Sequence, residues 1–188
     1  QDFTLKIRVP GWVRGEVVPS DLYMFSDGKQ LGYSVKVNGE PVESNLDKGY
    51  FSITRQWKKG DVVEVHFDME PRTVKANVKV EADRGRVAVE CGPVVYCAEW
   101  PDNSFGVMNV LMNRKPAFMV ERKSDLLYGI DEIKVAAQAL SYGRDGRLSA
   151  EDVTLTLIPY YAWAHRGKGE MAVWLPQEVN AVSPASDR

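Results

Sequence analysis

The chain has few of the residues that build metal centres and covalent cross-links. It contains two cysteines and two histidines among 188 residues, and they form neither a CxxC nor an HxxxH pattern. A zinc site needs three or four Cys, His or carboxylate ligands at suitable spacing. We therefore expect no metal site, with His66 on a solvated strand face and Cys97 packed as a small apolar residue. Two cysteines are also too few to indicate a redox compartment.

The chain also lacks an excess of charge of one sign, and it lacks long apolar runs. The 24 basic and 26 acidic side chains are interspersed and give a formal net charge of -2. Because there is no basic stripe, we expect no nucleic-acid partner. Because no apolar run reaches the roughly 20 residues that span a bilayer, we expect no membrane insertion. With 44% hydrophobic residues the chain can bury a core, and its length suits one or two small domains.

Short runs in which apolar and polar residues alternate dominate the chain, and this period of two predicts β-strands. Such runs cover 3–9, 33–37, 50–55, 63–67 and 86–90. Asn38-Gly39 predicts a type I′ hairpin turn between two strands. Residues 133–140 fit both helix and strand, and we favour strand because their surroundings are β. Residues 16–32 show little period and are interpreted as a long surface loop, so the pattern predicts an all-β antiparallel fold.

Gly92-Pro93 interrupts the strand pattern between Arg86 and Cys97. Proline cannot donate to a β-ladder, so we expect a sheet edge, a bulge or a crossing between two sheets here. In a continuous strand Cys91 and Cys97 would lie about 20 Å apart. That distance excludes a disulfide unless Gly92-Pro93 folds the chain back. The interruption is also a candidate hinge between two packed modules.

Three blocks of sequence carry a family resemblance. They are FTLKIRVPGWV at 3–13, MEPRTVKANVKVEADRGRVAVECGPVVYCAE at 69–99, and LIPYYAWAHRGKGEMAVWL at 157–175. Together they resemble the region that follows the catalytic barrel in glycoside hydrolase family 127, which contains β-L-arabinofuranosidases. The resemblance implies two antiparallel β-sandwich modules, the second inserted before the last strand of the first. The implied first module is 1–94 plus 170–176, the second is 95–169, and 177–188 form a disordered tail.

The resemblance places the chemistry outside this chain. It implies a longer parent enzyme whose (α/α) barrel holds zinc and a cysteine nucleophile in a motif with adjacent cysteines, and neither Cys91 nor Cys97 matches that motif. We therefore assign no catalytic residue and no cofactor to this chain and expect it to be inactive alone. The family usually has Arg where Cys91 stands, so no role of that arginine is transferred. The implied parent is a bacterial enzyme of plant polysaccharide degradation, with the compartment open between periplasm and cytoplasm.

Two pairs of carboxylates are candidates for a self-sufficient enzyme. Asp68 with Glu70, and Glu81 with Asp83, stand two residues apart and could share a face. Glycosidases commonly use two acids that flank the scissile bond. Acid pairs at strand ends are also common on solvated surfaces, and we favour that interpretation.

The aromatic segment from 160 to 166 is the strongest candidate for binding. Its candidate carbohydrate-binding residues are Tyr160, Tyr161, Trp163, His165 and Arg166. Their rings could stack on the apolar faces of sugars, and their polar atoms could hydrogen-bond to hydroxyls. We favour the alternative that they form the core and the joint between modules, because β patterns flank them and buried Tyr and Trp need one polar partner each. They could also pack against the absent barrel.

Two functions therefore stay open at this level. The first is an accessory region that braces its own catalytic barrel domain and supplies a homodimer contact. The second is a carbohydrate-binding module for arabinose-containing glycans. We expect N-terminal strands of the first module to be missing, which would leave an unprotected sheet edge through which the isolated chain dimerises or aggregates.

Overall fold

The computed structural model describes residues 1–186 and is built of β-strands and four three-residue 3-10 helices, which confirms the all-β prediction. In that range no helix has the length and apolar character needed to cross a bilayer. The strands are β1 (Asp2–Arg8), β2 (Tyr23–Phe25), β3 (Tyr33–Val37), β4 (Glu40–Pro41), β5 (Tyr50–Gln56), β6 (Val63–Phe67), β7 (Pro71–Ala76), β8 (Arg86–Cys91), β9 (Val94–Glu99), β10 (Val110–Met112), β11 (Phe118–Lys123), β12 (Ile130–Tyr142), β13 (Leu148–Pro159), β14 (Met171–Ala172), β15 (Leu175–Pro176) and β16 (Ala185–Ser186). The 3-10 helices are Glu81–Asp83, Trp100–Asp102, Tyr160–Ala162 and Val179–Ala181.

The N-terminal part is a small sandwich of two antiparallel sheets. One sheet is the pair β1-β5 and the other has the order β4-β3-β6. The turn between β3 and β4 has the predicted Asn38-Gly39 geometry, with φ of 54° and 84°. In the described range β1 pairs only with β5, so the other edge of β1 is open. The buried core between the two sheets consists of Val9, Val13, Val35, Val37, Phe51 and Ile53.

The C-terminal part is a sheet that runs in the order β10-β12-β13-β9-β8-β7-β2. Four short strands extend it, since β11 and β16 pair with β12, β14 with β9, and β15 with β8. Strand β12 confirms the strand interpretation of residues 133–140. The main core of this sheet comprises Val87, Val89, Tyr96, Ala98, Val107, Val110, Met112, Ile133, Val135, Ala137, Leu155, Leu157 and Leu175.

Gly92-Pro93 forms a tight hairpin turn between β8 and β9, which differs from the edge, bulge or crossing expected from the sequence. Cys91 pairs with Val94 across the turn, and Gly92 has a φ of 57°. A two-residue hairpin with Gly at a positive φ in its first position has the type II′ pattern. The residue in the second position of this turn donates no backbone hydrogen bond to the β-ladder, so Pro93 fits there. Although the chain folds back, both thiols are free, because Cys91 packs against the main core and Cys97 belongs to a separate cluster.

The division between the two parts falls near residue 70 in the structure, whereas the family resemblance implies a division after residue 94. Val87 and Val89 belong to the core of the C-terminal sheet, and so does Leu175 from the end of the chain. Strands β14 and β15 pair with β9 and β8, so they complete the C-terminal sheet. The cause is the hairpin at Gly92, which keeps β8 and β9 in one sheet.

The segment after Pro176 differs from the disordered tail predicted for 177–188. The Nη2 atom of Arg86 donates to the carbonyl of Ala181 at 2.7 Å, and the backbone N–H of Ser183 donates to the carbonyl of Met108 at 3.1 Å. These bonds hold the segment along the C-terminal sheet. Residues 187 and 188 lie outside the described range.

One strand from the predicted loop at 16–32 joins the two parts. Strand β2 pairs with β7, and the side chain of Phe25 packs in a small cluster with Val74 and Ala88. Arg72 of β7 is only 3% exposed. Its guanidinium donates to both carboxylate oxygens of Asp27, at 2.6 and 3.0 Å. The loop is therefore an ordered connection that enters the sheet of the C-terminal part.

Candidate functional site

The aromatic segment is anchored by a buried cluster of charges at its C-terminal end. Arg166 donates from Nε to Glu99 at 3.1 Å and from Nη1 to Asp102 at 2.7 Å. Glu99 is the last residue of β9 and is only 1% exposed. Its second oxygen accepts the backbone N–H of Ala164 at 3.2 Å, so both carboxylate oxygens are hydrogen-bonded. We call residues 160–170 the aromatic loop.

The two carboxylates favour the charged form of Arg166. Hydrogen bonds to Asp102 and Glu99 raise the pKa of Arg166 above its ordinary range against the opposing effect of burial. Charge-assisted bonds of a guanidinium to carboxylates are stronger than neutral ones and fix direction as well as distance. The position of the loop therefore depends on residues at the end of β9 and in the following 3-10 helix.

The rings of the aromatic loop face solvent, so the interpretation of these residues as buried core was wrong. Tyr161 is 67% exposed, and Tyr160 and Trp163 are both more than one-third exposed. The rings of Tyr160 and Trp163 stack on each other, with centroids 5.8 Å apart and an interplanar angle of 20°. His165 is exposed as well. The reason is local: β13 ends at Pro159, and the 3-10 helix that follows breaks the strand alternation that would have buried alternate rings.

The loop also wraps around Trp100, a residue that the sequence interpretation missed. The backbone N–H of Trp100 donates to the carbonyl of Glu170 at 3.0 Å. Gly169 lies against the indole so closely that a Cβ at this position would sit 2.0 Å from the ring. Glu99 and Asp102 were missed too. The one available signal was Glu99 itself, an acidic residue that directly follows the apolar run of β9.

The pair of Asp68 and Glu70 has the environment of a solvated surface. Asp68 lies 3.2 Å from His66, and Glu70 lies 3.7 Å from Lys29, with all four side chains at least half exposed. Surface ion pairs of this kind contribute little to stability. The other pair, Glu81 and Asp83, lies in a single 3-10 helix.

The residues described here do not fit the zinc–thiolate centre that the family resemblance implies for the parent. Cys91 and Cys97 lie in different core clusters. Burial raises the pKa of the Cys97 thiol to about 12, which opposes formation of the thiolate that a metal binds. Within residues 1–186 no group of three His, Cys, Asp or Glu side chains is placed to hold a metal ion.

The geometry defines an all-β protein of two antiparallel modules that share one inter-module strand and carry an exposed aromatic loop. The chain belongs to glycoside hydrolase family 127. The family's C-terminal domain matches residues 71–176, and the domain described as the β-L-arabinofuranosidase, GH127 middle domain matches residues 1–69. The boundary between these two matches coincides with the division near residue 70 that the packing shows.

Comparison with known proteins supports the same assignment. A non-reducing end β-L-arabinofuranosidase from Bifidobacterium longum subsp. longum is 33% identical over 182 residues. A solved β-arabinofuranosidase of the same family is 64% identical, superposes with a TM-score of 0.95 and matches all of this chain. A solved GH127 β-L-arabinofuranosidase from Geobacillus stearothermophilus T6 is 34% identical over 94% of this chain, with a TM-score of 0.77. The chain spans 25%, 29% and 26% of these three proteins, respectively.

Proposed function

We propose that this chain is a non-catalytic accessory region of a β-L-arabinofuranosidase-like glycoside hydrolase, and that it braces a catalytic barrel domain outside the chain. The observation that carries the proposal is that the chain matches the middle and C-terminal domains of the family and spans only 25–29% of its relatives. The parent's catalytic centre, including its zinc, then belongs to the barrel. The parent is a bacterial enzyme that acts on plant-derived glycans.

The aromatic loop is the surface that we assign to the barrel contact. Tyr161 and Trp163 present apolar rings to solvent, and burial of apolar area contributes about 25 cal/mol per Å². Because Glu99 and Arg166 already hold the loop in place, docking would lose little conformational entropy. A rigid aromatic surface of this kind suits a permanent contact between domains.

Two measurements test the accessory role. The purified chain should not hydrolyse an aryl β-L-arabinofuranoside that the full-length parent hydrolyses. In the parent, Trp163→Ala should lower the melting temperature of the barrel, whereas Tyr128→Ala, at a fully exposed tyrosine outside the loop, should leave it unchanged. Hydrolysis by the chain alone that Glu70→Gln or Glu81→Gln abolishes would overturn the proposal.

A second candidate function is a carbohydrate-binding module, favoured by the solvated stack of Tyr160 and Trp163. Aromatic faces of this kind can pack on the C–H faces of sugar rings. A two-dimensional NMR titration with arabinofuranosyl oligosaccharides should then give saturable shifts confined to the aromatic loop. Trp163→Ala should abolish them while the rest of the spectrum stays unchanged. A flat titration at millimolar sugar would leave only the accessory role.

We also propose a homodimer contact through the open edge of β1. An unpaired strand edge offers backbone donors and acceptors to a second copy. Sedimentation velocity of the chain should therefore show a concentration-dependent dimer. A single monomeric species over a hundredfold range of concentration would contradict it.

A further inference from the structure

A cavity of about 330 Å³ opens where three separate segments of the C-terminal part meet. One segment connects β7 to β8, one follows β10 and includes Arg114, and one follows β15. Gln177 ties them together: its backbone N–H donates to the carbonyl of Gly85 at 2.8 Å, and its side chain donates to the carbonyl of Asn113 at 2.7 Å. The cavity therefore has walls that the fold itself fixes.

The lining of this cavity has more positive than negative side chains. The charged residues that line it are Lys75, Arg84, Arg86, Arg114, Asp83 and Glu178. Among the described residues none of the four cations lies within 4.0 Å of either carboxylate, and the only ion pair is that of Arg84 with Glu81, at 3.7 Å. Counted over the lining side chains alone, four cations and two carboxylates give the cavity a net charge of +2 at neutral pH. Glu81 partly neutralises Arg84, and Arg86 lies near enough to Asp83 to attract it.

The cations differ in how firmly they are held. The guanidinium of Arg86 is half-buried and donates to the carbonyls of Trp174 and Ala181, so it is a fixed part of the wall. Lys75 and Arg114 are exposed, and their side chains make no hydrogen bond to any residue between 1 and 186. These two side chains are free to bind an anion that enters the cavity.

The mixture of charges selects among ligands. An inorganic phosphate or sulfate would pair with the cations but has at most one hydroxyl to donate to Asp83 and Glu178, and a neutral sugar would leave the cations without an anionic partner. A molecule with one carboxylate and several hydroxyls satisfies both the cations and the acidic side chains of the lining. Its carboxylate pairs with Arg and Lys, and its hydroxyls donate to the acidic side chains. The volume lies at the lower end of the range for small-molecule sites.

We propose that this cavity binds a uronic acid, with the sugar carboxylate on Arg114 and Lys75 and the sugar hydroxyls donating to Asp83 and Glu178. The site uses no residue of the aromatic loop and does not depend on its role. Bidentate pairing with a carboxylate is a property of arginine that lysine lacks. Arg114 is therefore the principal anchor and Lys75 contributes charge.

The test compares D-galacturonic acid with D-galactose, which differ at carbon 6, the position of the carboxylate. In NMR titrations of the whole chain at low salt, galacturonic acid should give saturable shifts at Arg114 and in the β7–β8 connection, and galactose should not. Arg114→Gln should weaken binding at least fivefold and Lys75→Gln two- to threefold. The control Arg144→Gln, in an exposed turn that does not line the cavity, should bind as the unchanged chain does.

Four results would overturn the proposal. Equal affinity for galactose and galacturonic acid would show that the carboxylate is not recognised. Binding of inorganic phosphate as tight as that of galacturonic acid would show a general anion site. Binding that survives Arg114→Gln unchanged, or no saturable shift at all, would exclude the cavity as the site.

Discussion

The guanidinium carbon of Arg72 lies 3.6 Å from the centroid of the Phe25 ring, so the cation stacks directly on the aromatic face. The same guanidinium donates to the carboxylate of Asp27 and to the backbone carbonyls of Trp12 and Lys29. One side chain from the C-terminal part thus bonds to three residues of the N-terminal part. Its hydrogen bonds and its stacking make it the main polar connection between the two modules.

Replacement of Arg72 by alanine should destabilise the chain by about 3 kcal/mol, because it removes a buried side chain that stacks on Phe25 and leaves the carbonyls of Trp12 and Lys29 without their donor. Urea unfolding measures this loss. The matched control is Arg147→Ala, at a mostly exposed arginine 3.6 Å from Asp145, which should cost less than about 0.5 kcal/mol. Equal effects of the two substitutions would mean that the joint does not stabilise the fold.

Asp27 should make stability depend on pH. Its hydrogen bond to Arg72 is the main reason that the pKa of the Asp27 carboxyl lies below its usual range. A pKa lowered by folding adds stability above the unfolded value, near pH 4, and this stability is lost as the pH falls through the folded value. Asp27→Asn should therefore be less stable than the unchanged chain at pH 7, and the gap should close towards pH 2.

Unfolding curves at several pH values, with Asp21→Asn as an exposed control, provide the measurement for Asp27. The control should show no closing gap between pH 7 and pH 2. A difference between Asp27→Asn and the unchanged chain that stays constant over this range would contradict the linkage.

Glu99→Gln should loosen the aromatic loop while leaving the sheets intact. The neutral amide cannot neutralise Arg166. The guanidinium and the N–H of Ala164 bond to different oxygens of Glu99, so the NH2 group that replaces one oxygen would face a donor. Hydrogen exchange should become at least tenfold faster in residues 160–170 and stay unchanged in β12 and β13. Glu151→Gln, on the exposed part of β13, is the control and should change neither region. Unchanged exchange in the loop would show that packing alone holds it.

The two thiols should react at very different rates. Cys97 is completely buried and its pKa is raised to about 12, so almost no thiolate is present at neutral pH. Cys91 is only partly buried, although burial also raises its pKa. Alkylation of the native chain with iodoacetamide should therefore label Cys91 slowly and Cys97 only after denaturant is added. Mass spectrometry of the peptides identifies which thiol is labelled. Labelling of Cys97 before Cys91 would contradict the prediction.

Local patterns in the sequence were sufficient for those strands that alternate clearly. The Asn38-Gly39 turn and the strands around it follow from propensity and period alone. Strand β2 could not be predicted, because it has three residues and exists through its pairing with β7, about 50 positions away. The hairpin at Gly92 replaces the edge, bulge or crossing that the sequence predicted. A Gly-Pro pair that interrupts a strand can also form a tight turn, and the local sequence does not distinguish the two.

The sequence predicted which residues of the aromatic loop make up the candidate site, but it did not predict how they are arranged. The aromatic residues were evident as a group, but their exposure depends on the end of β13 at Pro159 and on the ion pair of Arg166 with Glu99. That pair joins residues 67 positions apart, so no local pattern contains it. The cavity beside Arg114 is similar, because three distant segments build it.

Strand β2 has a consequence for how this pair of modules can be inherited. A recombination event that cut the gene at the codon for residue 70 would separate β7 from β2 and strip the guanidinium of Arg72 of its three acceptors. The downstream piece would have an unpaired edge at β7 next to Arg72. The upstream piece would lose β7, the strand with which residues 23–25 pair. We therefore expect the two modules to be inherited together, although two separate domain families describe them.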